Sequence, residues 1–250
     1  MKLLTLNTWQ KKGPWRKRWE LIFSGIKKMK PDIIAFQEIF DPQWAKEIRR
    51  KTGYRDSAFG DREAGLMFLS NLKIHDSVCL AYRAKSPSEE CRRFALSVSV
   101  KKNDQPLTLF NTHLSWRPEE GAVREKQVRE LLRIVGRETP GMTVLAMGDF
   151  NAGEETYEVK RMTGEGRFRD LYRAAHPAGR DLTWDNQNLF AAGASVYLPD
   201  RRIDYIFGRS SGTEQFKSLK VETVFREADA AGNYASDHFG VLAEWQEGKK

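Results

Sequence analysis

No run in this 250-residue sequence approaches the roughly 20 apolar residues needed to cross a bilayer. The short apolar start, MKLLTLN, has no small-residue cleavage site after it and reads as a core strand instead. A cytoplasmic monomer is therefore expected. Cysteine is confined to Cys79 and Cys91, without CxxC spacing or histidines at zinc-site distance, which excludes a zinc-thiolate centre and implies two free thiols. A glycine-rich phosphate loop ending in Lys-Ser/Thr is absent, as is GxSxG, so nucleotide-driven work and serine-based acyl transfer lose their main support. There is no repeat, low-complexity linker or abrupt change of composition, and one domain over residues 1–250 is expected.

What is present is aromatic and unevenly charged. Fourteen Phe, 7 Trp and 7 Tyr supply large side chains for a core. The formal net charge is +8, yet residues 1–55 hold 14 Lys/Arg against 5 Asp/Glu, a net of +9 that leaves the remainder at −1. Such asymmetry suits a polyanion, nucleic acid first, or an anionic membrane face. A solvated pair of Lys-rich helices explains it equally well.

Apolar KLLTLN reads as a strand, and Trp19, Ile22, Phe23, Ile26 and Met29 share one face of a helix over Trp15–Met29. Pro31 ends that helix, DIIAFQE is a buried strand, and Pro42–Lys51 a second helix closed by Gly53. Strands follow at GLMFLS, KIHDSVCLAY, RFALSVSV and PLTLFNTH, with KKNDQP as a hairpin turn, then a helix over Glu119–Arg137 and the strand MTVLAMGD. Helical pieces near Glu155–Met162 and Arg169–Ala175 precede the strands RRIDYIFG, FKSLKVETVF and FGVLAEW.

Several apolar runs stop on polar groups, which brings those groups to the rim of a sheet. Asn7, Glu38, Asn111, His113, Asp149 and Asn151 lie at strand ends, Asp204 lies in RIDYIF, and Asp237 with His238 precedes the last strand. Carboxylates and amides without thiolates suit hard cations, Mg²⁺ above all, with Mn²⁺ able to substitute. A metal to polarise phosphate oxygens, a carboxylate to activate water and a histidine to meet developing charge make up phosphoryl hydrolysis. Taken singly, Asn7 and Asn151 read as turn residues, Glu38 as a strand-end carboxylate, His113 as a core histidine and Asp237 as a turn initiator.

In order, LNTW, FQE, NTHL, GDFNA, RIDYIF and SDHFG resemble the endonuclease/exonuclease/phosphatase superfamily, the DNase I-like metal-dependent phosphohydrolases, from Leu6 to Gly240. The resemblance implies an α/β (α+β) four-layer sandwich, two packed mixed sheets flanked by helices. It implies that Glu38 and Asp237 bind the divalent ion with Asn7 close by. Asp149 would activate water, Asn151 hold water or phosphate, His113 contact the scissile phosphate and His238 stabilise the pentacovalent phosphorus, with Asp204 fixing its tautomer. Asn111 and Trp184 are the expected substrate contacts.

LTWDNQN, residues 182–188, with SDHFGVL looks like the branch containing tyrosyl-DNA phosphodiesterases and related bacterial phosphohydrolases, although TWD followed by Asn also occurs in sphingomyelinase-like members. The leading expectation is a nuclease or DNA-repair phosphodiesterase, with Trp9 and Trp15 as stacking faces for bases. A lipid phosphodiesterase or small-molecule phosphatase is the alternative, with AAGASVYLP as its weakly apolar loop. A non-catalytic nucleic-acid-binding module that kept the fold is the third.

Overall fold

The computed structural model describes residues 1–138, 142–210 and 216–246. Twelve strands are described: β1 (Lys2–Asn7), β2 (Ile33–Gln37), β3 (Asp56–Phe59), β4 (Met67–Ser70), β5 (Ile74–Ala81), β6 (Phe94–Lys102), β7 (Gln105–His113), β8 (Thr143–Asp149), β9 (Arg169–Asp170), β10 (Asp204–Arg209), β11 (Lys217–Val224) and β12 (Gly240–Gln246). They form two six-stranded sheets in the orders β11-β12-β1-β2-β4-β3 and β5-β6-β7-β8-β10-β9. Only β1–β2 and β7–β8 pair in parallel, and the remaining neighbours are antiparallel.

Strands buried on both faces read as unbroken apolar runs, and alternation sorts their side chains between two environments. Leu3, Ile33 and Ala35 of the first sheet meet Leu109, Leu145 and Met147 of the second in the central core. Their neighbours Leu4, Leu6, Ile34 and Phe36 point outward onto α1 (Trp15–Met29) and α2 (Pro42–Thr52) through Trp19, Ile22, Ile26 and Ile48. On the opposite surface Phe110, Val144 and Ala146 meet α3 (Gly121–Glu138) and α4 (Tyr157–Thr163). The result is the expected helix–sheet–sheet–helix sandwich.

Local sequence explains the element ends. Asp41 caps α2, accepting from the amides of Gln43 and Trp44 ahead of Pro42, and Gly53 closes the helix at φ +70°. Asn103 and Asp104, both at positive φ, make the two-residue turn between Lys102 and Gln105. Gly148 has φ +135°, and a Cβ there would lie 2.0 Å from the Thr112 carbonyl oxygen, so the last step of β8 before Asp149 requires glycine.

Some elements differ from the sequence reading. The expected Arg169–Ala175 helix is the two-residue β9 followed by α5 (Leu171–Ala175), because Asp170 caps the helix through the Arg173 amide. Strand β3 and the short helix α6 (Leu189–Ala192) were not anticipated. Trp15 packs edge-on against Trp44 at 5.2 Å with Lys11 over its ring, so it belongs to the α1–α2 aromatic cluster and does not line the cleft described below.

Candidate active site

The topology assembles one site from both sheets. Parallel pairing puts Asn7 beside Gln37 at the ends of β1 and β2, and His113 beside Asp149 at the ends of β7 and β8. Antiparallel β10 starts at the same level, with Asp204 opposite Asp149. The Ser236–Asp237–His238 segment runs into β12 next to β1, and Ser236 Oγ lies 2.7 Å from the Asn7 carbonyl oxygen. Asn7, His113, Asp149, Asp237 and His238 line a cleft of about 520 Å³, a volume suited to a small ligand or a segment of polymer.

Asp149, almost wholly buried, is gripped from several sides. Asn7 Nδ2 donates to its Oδ2 at 3.0 Å, the Asn151 amide donates to its Oδ1 at 2.9 Å, and His113 Nε2 lies 3.3 Å from its Oδ2. Burial, then the charge of Asp204, raises its pKa above the usual carboxylate range, against the opposing pull of His238. Asn151 reaches this geometry in the left-handed region at φ +49°, which asparagine tolerates well.

The two histidines have different charge states. Burial and then the Arg93 cation push His113 well below its ordinary pKa, so its 3.3 Å approach to Asp149 is not an ion pair. Burial also opposes a charge on His238, but Asp204 and Asp149 outweigh it and hold this pKa well above the ordinary value. His238 Nδ1 lies 2.9 Å from Asp204 Oδ2, which directs Nε2 to within 3.8 Å of Asp149 Oδ2. Trp184 sits edge-on to this imidazole at 5.1 Å between ring centroids.

Glu38 and Asp237 line the same cleft. Glu38 is in the left-handed region at φ +66°, and its buried Oε2 has no hydrogen-bond partner. Burial and the charge of Glu38 push Asp237 up to about 6, His238 opposing. An orphaned carboxylate oxygen beside a second carboxylate that resists ionisation is an arrangement a divalent cation would relieve. Asp149, Asp204 and His238 also bring three donor atoms within 4.8 Å of one another. A cation there would have to displace the His238–Asp204 hydrogen bond, so that trio fits a proton-holding relay better than a ligand set.

Asn111 does not belong to the cleft. It is fully buried between the sheets, accepting from Gln37 Nε2 at 2.7 Å and donating to the carbonyls of Phe36 and Met67 at 2.8 and 3.2 Å. Two residues before His113 on the same face of β7, it lies one step deeper and ties the second sheet to the first. The other expected residues, apart from Asp204 behind His238, line the cleft. Of the 14 basic residues in the first 55, only Lys12 is among the cleft-lining residues, with Lys11 at a smaller cavity of about 170 Å³ beyond Glu38.

Sequence reasoning missed Arg18 and Arg93. Arg18 is fully buried on α1 and donates to the carbonyls of Thr8, Trp9, Gln10, Lys12 and Ala235, which pins the loop carrying Trp9 and Lys12. Burial lowers its pKa to about 10, with Asp237 and Glu38 opposing. An arginine beside Trp19 on an apolar helix face was the available signal. Arg93, in the segment that leads into β6, lines the cleft and is held by Glu89 at 2.7 Å.

Residues 4–238 match the model of the Endonuclease/Exonuclease/phosphatase family. Tyrosyl-DNA phosphodiesterase 2 of Xenopus laevis is 26% identical over 228 residues, covering 86% of this chain and 58% of that protein. The chain thus spans under two thirds of the curated relative's length. Among solved structures, D. rerio TDP2 complexed with single strand DNA product superposes with a TM-score of 0.80 at 20% identity, covering 97% of both chains. A beta toxin from Staphylococcus aureus with bound magnesium ions also gives 0.80 at 20% identity, covering 98% of this chain and 99% of that one. These structural likenesses concern the fold.

Proposed function

This chain belongs to the endonuclease/exonuclease/phosphatase family, and on that premise we propose that it is a divalent-metal-dependent phosphodiesterase acting on nucleic acid, with a tyrosyl-DNA phosphodiester as the first substrate to test. The observation that carries the reading is the juxtaposition of the Glu38–Asp237 carboxylates with Asp149, a neutral His113 and a cationic His238 in one cleft. The named relatives favour DNA, and Lys12 and Trp9 give the cleft a cation and an aromatic face.

Glu38 and Asp237, with Asn7 near them, would hold Mg²⁺ or Mn²⁺. Such an ion supplies Lewis-acid polarisation of a phosphate oxygen. The rest is done by side chains. Asp149, raised toward neutrality and aimed by Asn7 and Asn151, accepts a proton from water at its Oδ atoms. Neutral His113 and the second Nδ2 hydrogen of Asn151, whose first is taken by the Leu114 carbonyl, offer hydrogen bonds to phosphate. Protonated His238, its Nδ1 proton held by Asp204, presents Nε2–H to negative charge developing on phosphorus oxygens.

The test is Mg²⁺-dependent turnover of the purified protein beside Asp149→Asn, on abasic duplex, single-stranded DNA, a 5′-tyrosyl oligonucleotide and sphingomyelin. Asp149→Asn should lower turnover on a DNA substrate by about 10²–10⁴. Turnover of sphingomyelin alone would refute the nucleic-acid reading and move the function to lipid. Leu189 and Tyr197, exposed beside the cleft, are what that reading would use to meet a membrane.

A further inference from the structure

Arg201 and Arg202 are consecutive, and their surroundings differ completely. Arg202 is buried and ion-paired: its Nη2 lies 2.6 Å from Asp170 and 3.3 Å from Glu154, its guanidinium lies over the rings of Tyr172 and Tyr205, and Nη1 is left without a partner. It holds β10 to the helical segment beside it.

Arg201 has no such partners. Its backbone forms an antiparallel bridge with Trp184, with hydrogen bonds of 2.9 Å in both directions. Residues directly opposite in such a bridge project to the same face. Its side chain therefore shares the face of Trp184, whose ring lines the cleft and abuts His238. Nε and Nη2 of Arg201 are buried without a hydrogen-bond partner, and among the described residues no carboxylate forms an ion pair with it. The residue as a whole is only partly buried.

A guanidinium with two buried, unpaired nitrogens is costly, and folding gains nothing visible from keeping it. Burial lowers its pKa, while the charge of Asp149 opposes that shift, which locates Arg201 within electrostatic reach of the reacting centre without contact to it. Arg124 is the nearby like charge, but it is already committed to Glu158 and to the carbonyls of Ser115 and Arg117. Arg201 is thus a guanidinium without an ion-pair partner on the face of Trp184, within electrostatic reach of Asp149 and next to the cleft lining rather than part of it. Planar, bidentate donation to phosphate oxygens is the chemistry arginine performs best.

We propose that Arg201 is a substrate-binding residue that takes the non-bridging oxygens of a phosphate flanking the scissile one along a polynucleotide. The proposal rests on the nucleic-acid reading of the cleft. It makes the site a reader of polymeric substrate: a lone phosphodiester would fill the reacting centre and leave Arg201 unsatisfied, whereas a chain with a second phosphate would satisfy both.

The test compares wild type with Arg201→Gln and Arg201→Lys. Binding of a labelled single-stranded oligonucleotide, measured by fluorescence anisotropy with Ca²⁺ and in chelator across a salt series, should weaken about tenfold in Arg201→Gln. The slope of log Kd against log salt should become shallower by about 0.7, the loss of one phosphate contact. Arg201→Lys should recover most of the slope and less of the affinity. In turnover, kcat/KM for the oligonucleotide should fall about tenfold further than kcat/KM for bis(p-nitrophenyl) phosphate, which has one phosphate only. Equal losses on both substrates would put Arg201 at the reacting centre and overturn the proposal, as would an unchanged salt slope. Since the substitution removes no internal partner, the melting temperature of Arg201→Gln should stay within about 3 °C of wild type. A fall beyond about 10 °C would show a structural role and also overturn it. A wild type that neither binds nor cuts oligonucleotides would refute the nucleic-acid reading itself, a result visible before any variant is made.

Discussion

Replacing Asn111 by leucine separates a structural tie from a substrate contact. Its side chain joins the two sheets through three hydrogen bonds, one from Gln37 and two to the carbonyls of Phe36 and Met67, at a site with no solvent exposure. Leucine is close in size, so the cavity contribution is small, but the amide of Gln37 and two backbone carbonyls lose a partner with no water to replace it. Each such group costs about 1–3 kcal/mol, and partial relaxation brings the whole to about 3–5 kcal/mol. For a chain of this length that corresponds to a fall in melting temperature of about 10 °C. Thermal unfolding followed by near-ultraviolet circular dichroism would measure it, with steady-state kinetics run well below the transition. KM should remain within about twofold of wild type, since Asn111 meets no substrate, and kcat should fall because Asn7 and Glu38 are no longer held in register with Asp149. An unchanged melting temperature with a raised KM would refute this reasoning and return Asn111 to the binding surface.

Glu38→Ala should raise the Mg²⁺ concentration for half-maximal activity by at least about tenfold, read from a metal titration; an unchanged response would remove Glu38 from the ligand set. His238 is raised in the folded state above its ordinary 6.5, so the stability it contributes is complete below that value and lost as pH rises through the raised folded pKa. Thermal melts in chelator should show this alkaline loss. Asp204→Asn should flatten the loss and move the alkaline limb of the pH–rate profile downward, and an unmoved limb would show that His238 is not the group titrating.

The two faces of each strand and the polar ends of β1, β2, β7 and β8 were legible in sequence because buried runs are apolar and end abruptly on Asn7, Glu38, His113 and Asp149. Helix α1 was legible to its ends, since Trp19, Ile22 and Ile26 mark its buried face and Pro31 follows. What the sequence could not supply was depth. Asn111 and His113 share a face and look alike in the pattern NTH, yet which of them emerges into the cleft depends on where the opposite sheet ends. Trp9 and Trp15 likewise differ only after α2 brings Trp44 against Trp15. Arg18 and Arg201 were illegible for the opposite reason: charge in a basic sequence suggests solvent, and only packing reveals that Arg18 is buried and saturated with carbonyls while Nε and Nη2 of Arg201 are buried without partners.

The first sheet is built from both ends of the described chain, β1–β4 and β11–β12, and the second from the segment between them. Asp149, His113 and Asp204 are all synthesised before Asp237 and His238, which take up position only when β12 inserts between β1 and β11. A partly translated chain can therefore hold every strand of the sheet bearing its proposed proton acceptor while it still lacks one of the two proposed metal carboxylates and the charged imidazole. Connectivity thus makes the proposed hydrolytic centre wait for Asp237, His238 and β12, so that its full constellation would come together only after the segments bearing its proton acceptor had been made.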